Sequence, residues 1–170
     1  MLEGKRDSIF MLGWAARSLR VILTLIVGAA TAINLIWPVS GLLKMVPREY
    51  NEGWNAFLAV AAVSNIQLYP DSSALNTNVY SPLSFYIVGT LGHIFGDNII
   101  VGRMLAFISV LIVSSNIVLI SRRLGASTSI AVLCGLVFLG YVTAQYDSYI
   151  GMDDPQWLAH DLQEQSNRQK

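Results

Sequence analysis

The chain has 170 residues, of which 54% are hydrophobic and 13% are charged, against roughly 25% charged residues in an ordinary soluble domain. The 11 basic side chains equal the 11 acidic ones, so no basic excess indicates nucleic acid as a partner. Cys134 is the single cysteine, which excludes a disulfide within the chain. These properties predict an all-α membrane protein.

The first predicted element is a transmembrane helix over residues 21–43. The apolar run from Val21 to Trp37 is long enough to cross the hydrocarbon core. Residues 1–20 precede it as a basic lead that carries Lys5, Arg6, Arg17 and Arg20. The positive-inside rule places this lead in the cytoplasm. A signal peptide is the alternative, because Ala30-Thr31-Ala32 is similar to a cleavage site.

A long outer loop, residues 44–101, follows the first span. Apolar residues at helical spacing predict an amphipathic helix over about 51–64. The apolar stretch over 82–95 is too short to cross a bilayer and predicts a second interfacial helix or a re-entrant one, opened by Pro82 and closed by Gly96.

Two further transmembrane helices are predicted over residues 102–121 and 126–145. The short connection between them carries Arg122 and Arg123, which indicates the cytoplasmic side. The outer loop and an acidic segment with a polar tail, residues 146–170, are therefore expected on the opposite side. Together these features predict a multi-pass protein of the plasma (inner) membrane.

Two acidic pairs are expected on the outer face, Glu49 with Glu52 and Asp153 with Asp154. Carboxylates brought together there could supply a general base or bind a divalent cation. The alternative is that each pair only stabilises a helix start, where the helix dipole favours an anion. Neither histidine, His93 or His160, has a neighbour at ligand spacing, so no resident metal site is predicted.

Four other side chains have two interpretations each. Tyr80, Tyr86 and Trp54 could stack on a sugar ring, although aromatic residues are common at a bilayer interface in any case. Arg103, at the outer mouth of the second span, could anchor the helix by reaching toward water or could bind an anion.

A set of short motifs, in order, resembles the N-terminal part of the GT-C class of membrane glycosyltransferases. That class includes the dolichyl-phosphate-mannose protein mannosyltransferases and the bacterial aminoarabinose transferase for lipid A. The matching stretches are Tyr50-Asn51-Glu52-Gly53-Trp54-Asn55-Ala56, Asn78-Val79-Tyr80-Ser81-Pro82-Leu83-Ser84-Phe85-Tyr86, Gly102-Arg103-Met104-Leu105, Arg122-Arg123-Leu124-Gly125 and Met152-Asp153-Asp154-Pro155. The resemblance covers nearly the whole chain.

The resemblance implies a hexosyltransferase that moves a sugar from a polyprenyl-phosphate donor to an acceptor hydroxyl outside the cytoplasm. It implies Glu52 as the general base and Asp153 or Asp154 as the second-loop acid, with a divalent cation in some members. The predicted substrate-binding residues are Asn51, Asn55, Tyr80, Tyr86 and Arg103. The sequence departs from the pattern at Asn51, where Asp is common, and at Ser81, where Pro is common.

Members of that class continue for many more spans, so the resemblance implies a truncated module that is inactive alone or that needs a partner chain for the missing helices. The expected partners are membrane lipid and the polyprenyl-phosphate sugar, and no nucleic acid. Two alternatives stay open, a small non-catalytic membrane subunit and a transporter fragment. In a transporter, Asn34 and the helix over 82–95 would line a site at the bilayer midplane.

Overall fold

The computed structural model describes the backbone of residues 2–69, 80, 82–146 and 150, and in this part of the chain all regular structure is helical. The helices are α1 (Leu2–Ser40), α2 (Tyr50–Val63), α3 (Pro82–Phe95), α4 (Asn98–Arg123) and α5 (Thr128–Gln145). The prediction of an all-α protein is therefore confirmed for the described residues.

Three of these helices are long and apolar enough to cross a membrane. The candidate spans are Gly13–Ser40 with 28 residues, Asn98–Arg123 with 26 and Thr128–Gln145 with 18. Most apolar side chains of the first span are exposed, and few of those in the other two are buried; in the first span Leu25 keeps 67% of its surface and Ile33 66%. Soluble proteins rarely expose so much apolar surface to water, so the chain is a membrane-embedded protein.

The helix ends differ from the predicted boundaries where the sequence allows helix to extend beyond the apolar run. Helix α1 begins at Leu2 and not near residue 21, so the basic lead is itself helical. Helix α4 begins at Asn98, ahead of the predicted 102, because the Asp97 carboxylate accepts a hydrogen bond from the Ile100 amide at 2.8 Å. Gly96, with φ of +92°, ends α3 just before this cap.

The chain divides into two compact units. One consists of Met1–Asn34 and Ser114–Gln145, and its helices approach closely through small and hydroxyl-bearing residues. The Thr31 hydroxyl lies 3.3 Å from the Leu136 carbonyl oxygen, and the Ser114 hydroxyl donates to the Gly135 carbonyl at 3.0 Å. Such contacts are the usual way in which helices associate in lipid, where the hydrophobic effect does not drive them together.

The other unit consists of Leu35–Val113 and the segment after residue 145, and its core is built on the pairing of α2 with α3. Leu58 and Ala61 of α2 pack against Phe85 of α3, and Ala59 packs with Val88 and with Val101 of α4. This packing positions the start of α2 beside the first turns of α4, so that Glu52 of α2 lies next to Arg103 of α4.

Candidate functional site

Arg103 is the residue around which the charged part of the loop is arranged. It lies on α4 within a candidate membrane span, and its side chain is completely buried. Its guanidinium forms a bidentate ion pair with Glu52 of α2, with distances of 2.6 Å from Nε to Oε1 and 2.7 Å from Nη2 to Oε2. Glu52 is also fully buried. A buried charge of this kind persists only when it is paired and hydrogen-bonded.

The Arg103 guanidinium also donates hydrogen bonds to the segment that follows α1. Nη1 donates to the carbonyl oxygens of Gly41, at 2.7 Å, and of Lys44. Nη2 donates to the carbonyl oxygen of Val46 at 2.8 Å. An arginine has five N–H donors, and here they are all used within the chain. We call Arg103, Glu52 and the three carbonyl groups the arginine clamp.

Arg48 completes the surroundings of Glu52. Its backbone amide donates to Glu52 Oε2 at 2.7 Å, and its guanidinium donates through Nη2 to the Pro38 carbonyl oxygen at 3.2 Å. That guanidinium lies directly against Gly41, since a Cβ there would be 1.3 Å from Arg48 Nη2. The clamp and Arg48 together fix the segment between α1 and α2.

This geometry tests the roles that were predicted for Arg103 and Glu52. Arg103 does not reach water as an interface anchor, because its guanidinium is enclosed by protein carbonyls and a carboxylate. It could bind a substrate anion only by giving up a hydrogen bond that it already makes. Glu52 lies in the first turn of α2, as expected, but both of its oxygens accept hydrogen bonds inside the protein. Its predicted role as a base would require the clamp to open.

An open surface depression of about 610 Å³ lies beside the clamp. Unlike Glu52, Glu49 is exposed and lines this depression, and its side chain makes no capping hydrogen bond to α2. The Trp54 ring stacks on Phe57 with a centroid distance of 5.4 Å. The depression is lined by Pro47, Arg48, Glu49, Tyr50, Gly53 and Trp54.

Tyr80, one of the predicted aromatic residues, lies against the apolar cluster around Phe85. Trp54 packs against the same cluster. The Tyr80 carbonyl oxygen accepts a hydrogen bond from the Tyr69 hydroxyl at 2.5 Å. Burial raises the pKa of Tyr69 above its usual value, and the neighbouring Tyr86 adds to this effect.

The remaining predicted site residues have different environments. Asn51 is exposed and Asn55 is buried, although both lie on α2. Tyr86 keeps 49% of its surface exposed. Asp153 and Asp154 lie outside the described residues, so their expected approach to Glu52 stays a prediction.

Among the described residues no group of three or more His, Cys, Asp or Glu side chains could hold a metal ion. His93 is exposed near the end of α3. A divalent cation at the outer face therefore stays a prediction that depends on the acidic segment after residue 150.

Comparison with known proteins identifies no relative. No protein-family model matches the chain, and neither the curated proteins nor the solved structures give a significant match.

Sequence reasoning missed the partnership of Arg103 with Glu52 and the part that Arg48 has in it. One signal was present: Arg103 is the only charged residue between Ile99 and Ile120. An arginine within an apolar span is expected to have an acidic partner or backbone carbonyl partners. The carbonyl partners carry no sequence signal, because every residue has a carbonyl group.

Proposed function

We propose that this chain is the N-terminal module of a GT-C membrane glycosyltransferase, which transfers a sugar from a polyprenyl-phosphate donor to an acceptor hydroxyl at the outer face of the plasma (inner) membrane. The observation that carries the proposal is the arginine clamp beside the depression at residues 47–54. Catalytic and binding groups need a rigid support to hold their geometry, and the clamp supplies one at the start of α2.

The depression has the chemistry that a sugar requires. A sugar ring presents hydroxyl groups at its edges and C–H groups on its faces. Glu49 offers carboxylate acceptors to the hydroxyl groups, and the Tyr50 and Trp54 rings offer apolar faces to the C–H groups. Tyr50 is 82% exposed, so its ring is accessible to a ligand.

In this proposal Glu52 and Glu49 have separate roles. A general base must come within about 2.6–3.2 Å of the proton that it removes. Glu49, exposed at the depression, can approach an acceptor hydroxyl, whereas Glu52 is enclosed. We therefore assign Glu52 to positioning and Glu49 to proton removal from the acceptor. Asp153 and Asp154 remain the proposed second acids.

The proposed topology has the N-terminus in the cytoplasm and α2 and α3 at the outer surface of the bilayer. Support comes from the apolar residues that α3 leaves exposed although it is too short to span. Leu83, Ile94 and Phe95 keep 53%, 67% and 74% of their surface, which suits a helix that rests in the interface.

A non-catalytic membrane subunit is the second candidate. It is favoured by the complete use of the Arg103 donors inside the chain, since an arginine committed in this way stabilises structure and contacts no substrate. In that case the clamp would still determine stability, but the depression would bind no sugar.

Sugar binding distinguishes the two candidates. The full chain in lipid nanodiscs is titrated with hexoses carried on short polyprenyl phosphates, and tryptophan fluorescence is followed. We expect saturable quenching that Trp54→Phe removes. We expect Glu49→Gln to weaken binding at least tenfold because one charge-assisted hydrogen bond is lost.

Glu52→Gln is the matched variant, since it removes the other carboxylate of the same helix start. It should lower the melting temperature, whereas Glu49→Gln should leave it unchanged. Absence of binding by the native chain, or equal binding by Glu49→Gln, would reject the transferase and favour the subunit.

A further inference from the structure

The unit formed by Met1–Asn34 and Ser114–Gln145 carries a cluster of arginines that the proposed transfer reaction does not use. Three of them are exposed and Arg20 is half-buried. The cluster, which we call the arginine face, consists of Arg17, Arg20, Arg122 and Arg123.

Contacts within this unit bring the two pairs of arginines to one end of its helices. The Nη1 atom of Arg20, on α1, lies 3.4 Å from the hydroxyl oxygen of Ser127. Ser127 belongs to the connection between α4 and α5. In the same connection, Arg122 Nη1 donates to the Ala126 carbonyl oxygen at 2.7 Å. The first two arginines and the last two therefore flank the same short turn.

No carboxylate balances this charge within the described side chains of the unit. Residues 11–34 and 114–145 contain four arginines and neither Asp nor Glu. In the segment before them, Glu3 and Asp7 are matched in number by Lys5 and Arg6. The contrast with Arg103 is clear, because Arg103 is buried on a carboxylate whereas Arg122 and Arg123 are exposed.

The arginines lie toward the ends of the candidate spans, where the phosphate groups of lipids are expected. Arg17 and Arg20 lie in the first turns of the candidate span Gly13–Ser40, and Arg122 and Arg123 are the last two residues of the span Asn98–Arg123. Residues at such positions lie at the boundary between hydrocarbon and headgroups. A planar guanidinium there presents paired N–H donors that fit phosphate oxygens.

We propose that the arginine face binds the phosphate headgroup of an anionic phospholipid in the leaflet that it faces. The neighbouring apolar side chains of α1 would contact the acyl chains, since Val21, Ile22 and Leu25 keep 48%, 53% and 67% of their surface. The simpler view is that these arginines only set the topology and stabilise the end of α4. That view predicts no preference among lipid headgroups.

Lipid binding is tested with the purified full chain in mixed micelles. Native mass spectrometry counts bound phosphatidylglycerol and phosphatidylcholine of the same acyl composition. We expect phosphatidylglycerol to bind at least about tenfold more tightly, since clustered basic residues near the bilayer surface attract anionic lipid. Arg122→Gln with Arg123→Gln should reduce the preference to below threefold.

Two further variants separate charge from folding. Arg122→Lys with Arg123→Lys should keep most of the preference, because the charge remains. Lys44→Gln removes an exposed charge that follows the first span and should not change it. Inorganic phosphate at millimolar concentration should not displace the lipid, because it lacks acyl chains.

Several outcomes overturn the proposal. An equal affinity for the two lipids, a preference that survives the double Gln substitution, or displacement by inorganic phosphate would each do so. Circular dichroism of every variant should match the native helix content, so that a lost preference is not the result of unfolding.

Discussion

At the level of single residues, the arginine clamp shows how a charge is kept inside a membrane protein. Removing two ions from water costs several kcal/mol each, and attraction between them repays this only when the remaining donors and acceptors are satisfied. Arg103 meets that condition through Glu52 and three carbonyl groups. The pair is therefore stable as a pair, and either member alone would be costly.

Substitution of one member should reveal this dependence. We expect Glu52→Gln and Arg103→Met each to lower the free energy of unfolding by about 3–5 kcal/mol, because each leaves a buried charge without its partner. Combining them should cost less than the sum of the two. Equilibrium unfolding in a denaturing detergent measures the three values as a double-mutant cycle.

The control is Glu49→Gln, which alters an exposed carboxylate on the same segment and should change stability by less than about 0.5 kcal/mol. If the effects of the two single substitutions on the free energy of unfolding were additive, Glu52 and Arg103 would not be coupled. The ion pair would then not stabilise the protein.

At the level of helices, the pairing of α2 with α3 depends on one glycine. Gly89 of α3 faces the backbone of α2, and a Cβ at this position would lie 2.2 Å from the Ala59 carbonyl oxygen. The Ala59 carbonyl oxygen belongs to the backbone and cannot move aside as the end of a flexible side chain can. A side chain at position 89 would therefore force the two helices apart. The same helix pair carries the first turn with Glu52, so separation would also disturb the clamp.

We expect Gly89→Ala to lower the free energy of unfolding by about 1–3 kcal/mol, the usual range for overpacking. Gly13→Ala is the control, because nothing lies within 4 Å of a Cβ at that position. Alanine there should be neutral or stabilising by up to about 1 kcal/mol, since it favours helix over glycine. Thermal unfolding followed by circular dichroism distinguishes the two, and equal effects would contradict the close helix contact.

At the level of the whole molecule, the order of the spans determines which segments can share a compartment. In the proposed topology each of the three candidate spans crosses the membrane once. The loop over residues 44–101 and the acidic segment after residue 145 would then share one side, and the N-terminus and the turn at Leu124 would share the other. The proposed transferase site depends on this arrangement, because Asp153 and Asp154 must share a compartment with Glu49.

Labelling of introduced cysteines tests this topology. In a Cys134→Ser background, Gln67→Cys and Asp154→Cys should react with a membrane-impermeant maleimide in intact cells. Leu124→Cys, at a position that is 83% exposed, should react only after permeabilisation. Labelling of Gln67→Cys and Asp154→Cys from opposite sides would exclude a shared site and with it the transferase.

The sequence by itself determined the helical class and the presence of three helices that are long and apolar enough to cross a membrane. Long apolar runs have few alternatives, because in lipid every backbone polar group must be satisfied within its own segment. The extents of α2 and α3 were also close to expectation, with about 51–64 against Tyr50–Val63 and 82–95 against Pro82–Phe95. Local signals such as Pro82 and Gly96 carry most of that information.

Only the tertiary structure decided what the charged residues do. Glu52 and Arg103 are 51 positions apart, and no local pattern shows that packing of α2 and α4 brings them together. The carbonyl partners at Gly41, Lys44 and Val46 have no sequence signature at all. A carboxylate is available or enclosed according to what surrounds it, and long-range packing sets those surroundings for Glu49 and Glu52.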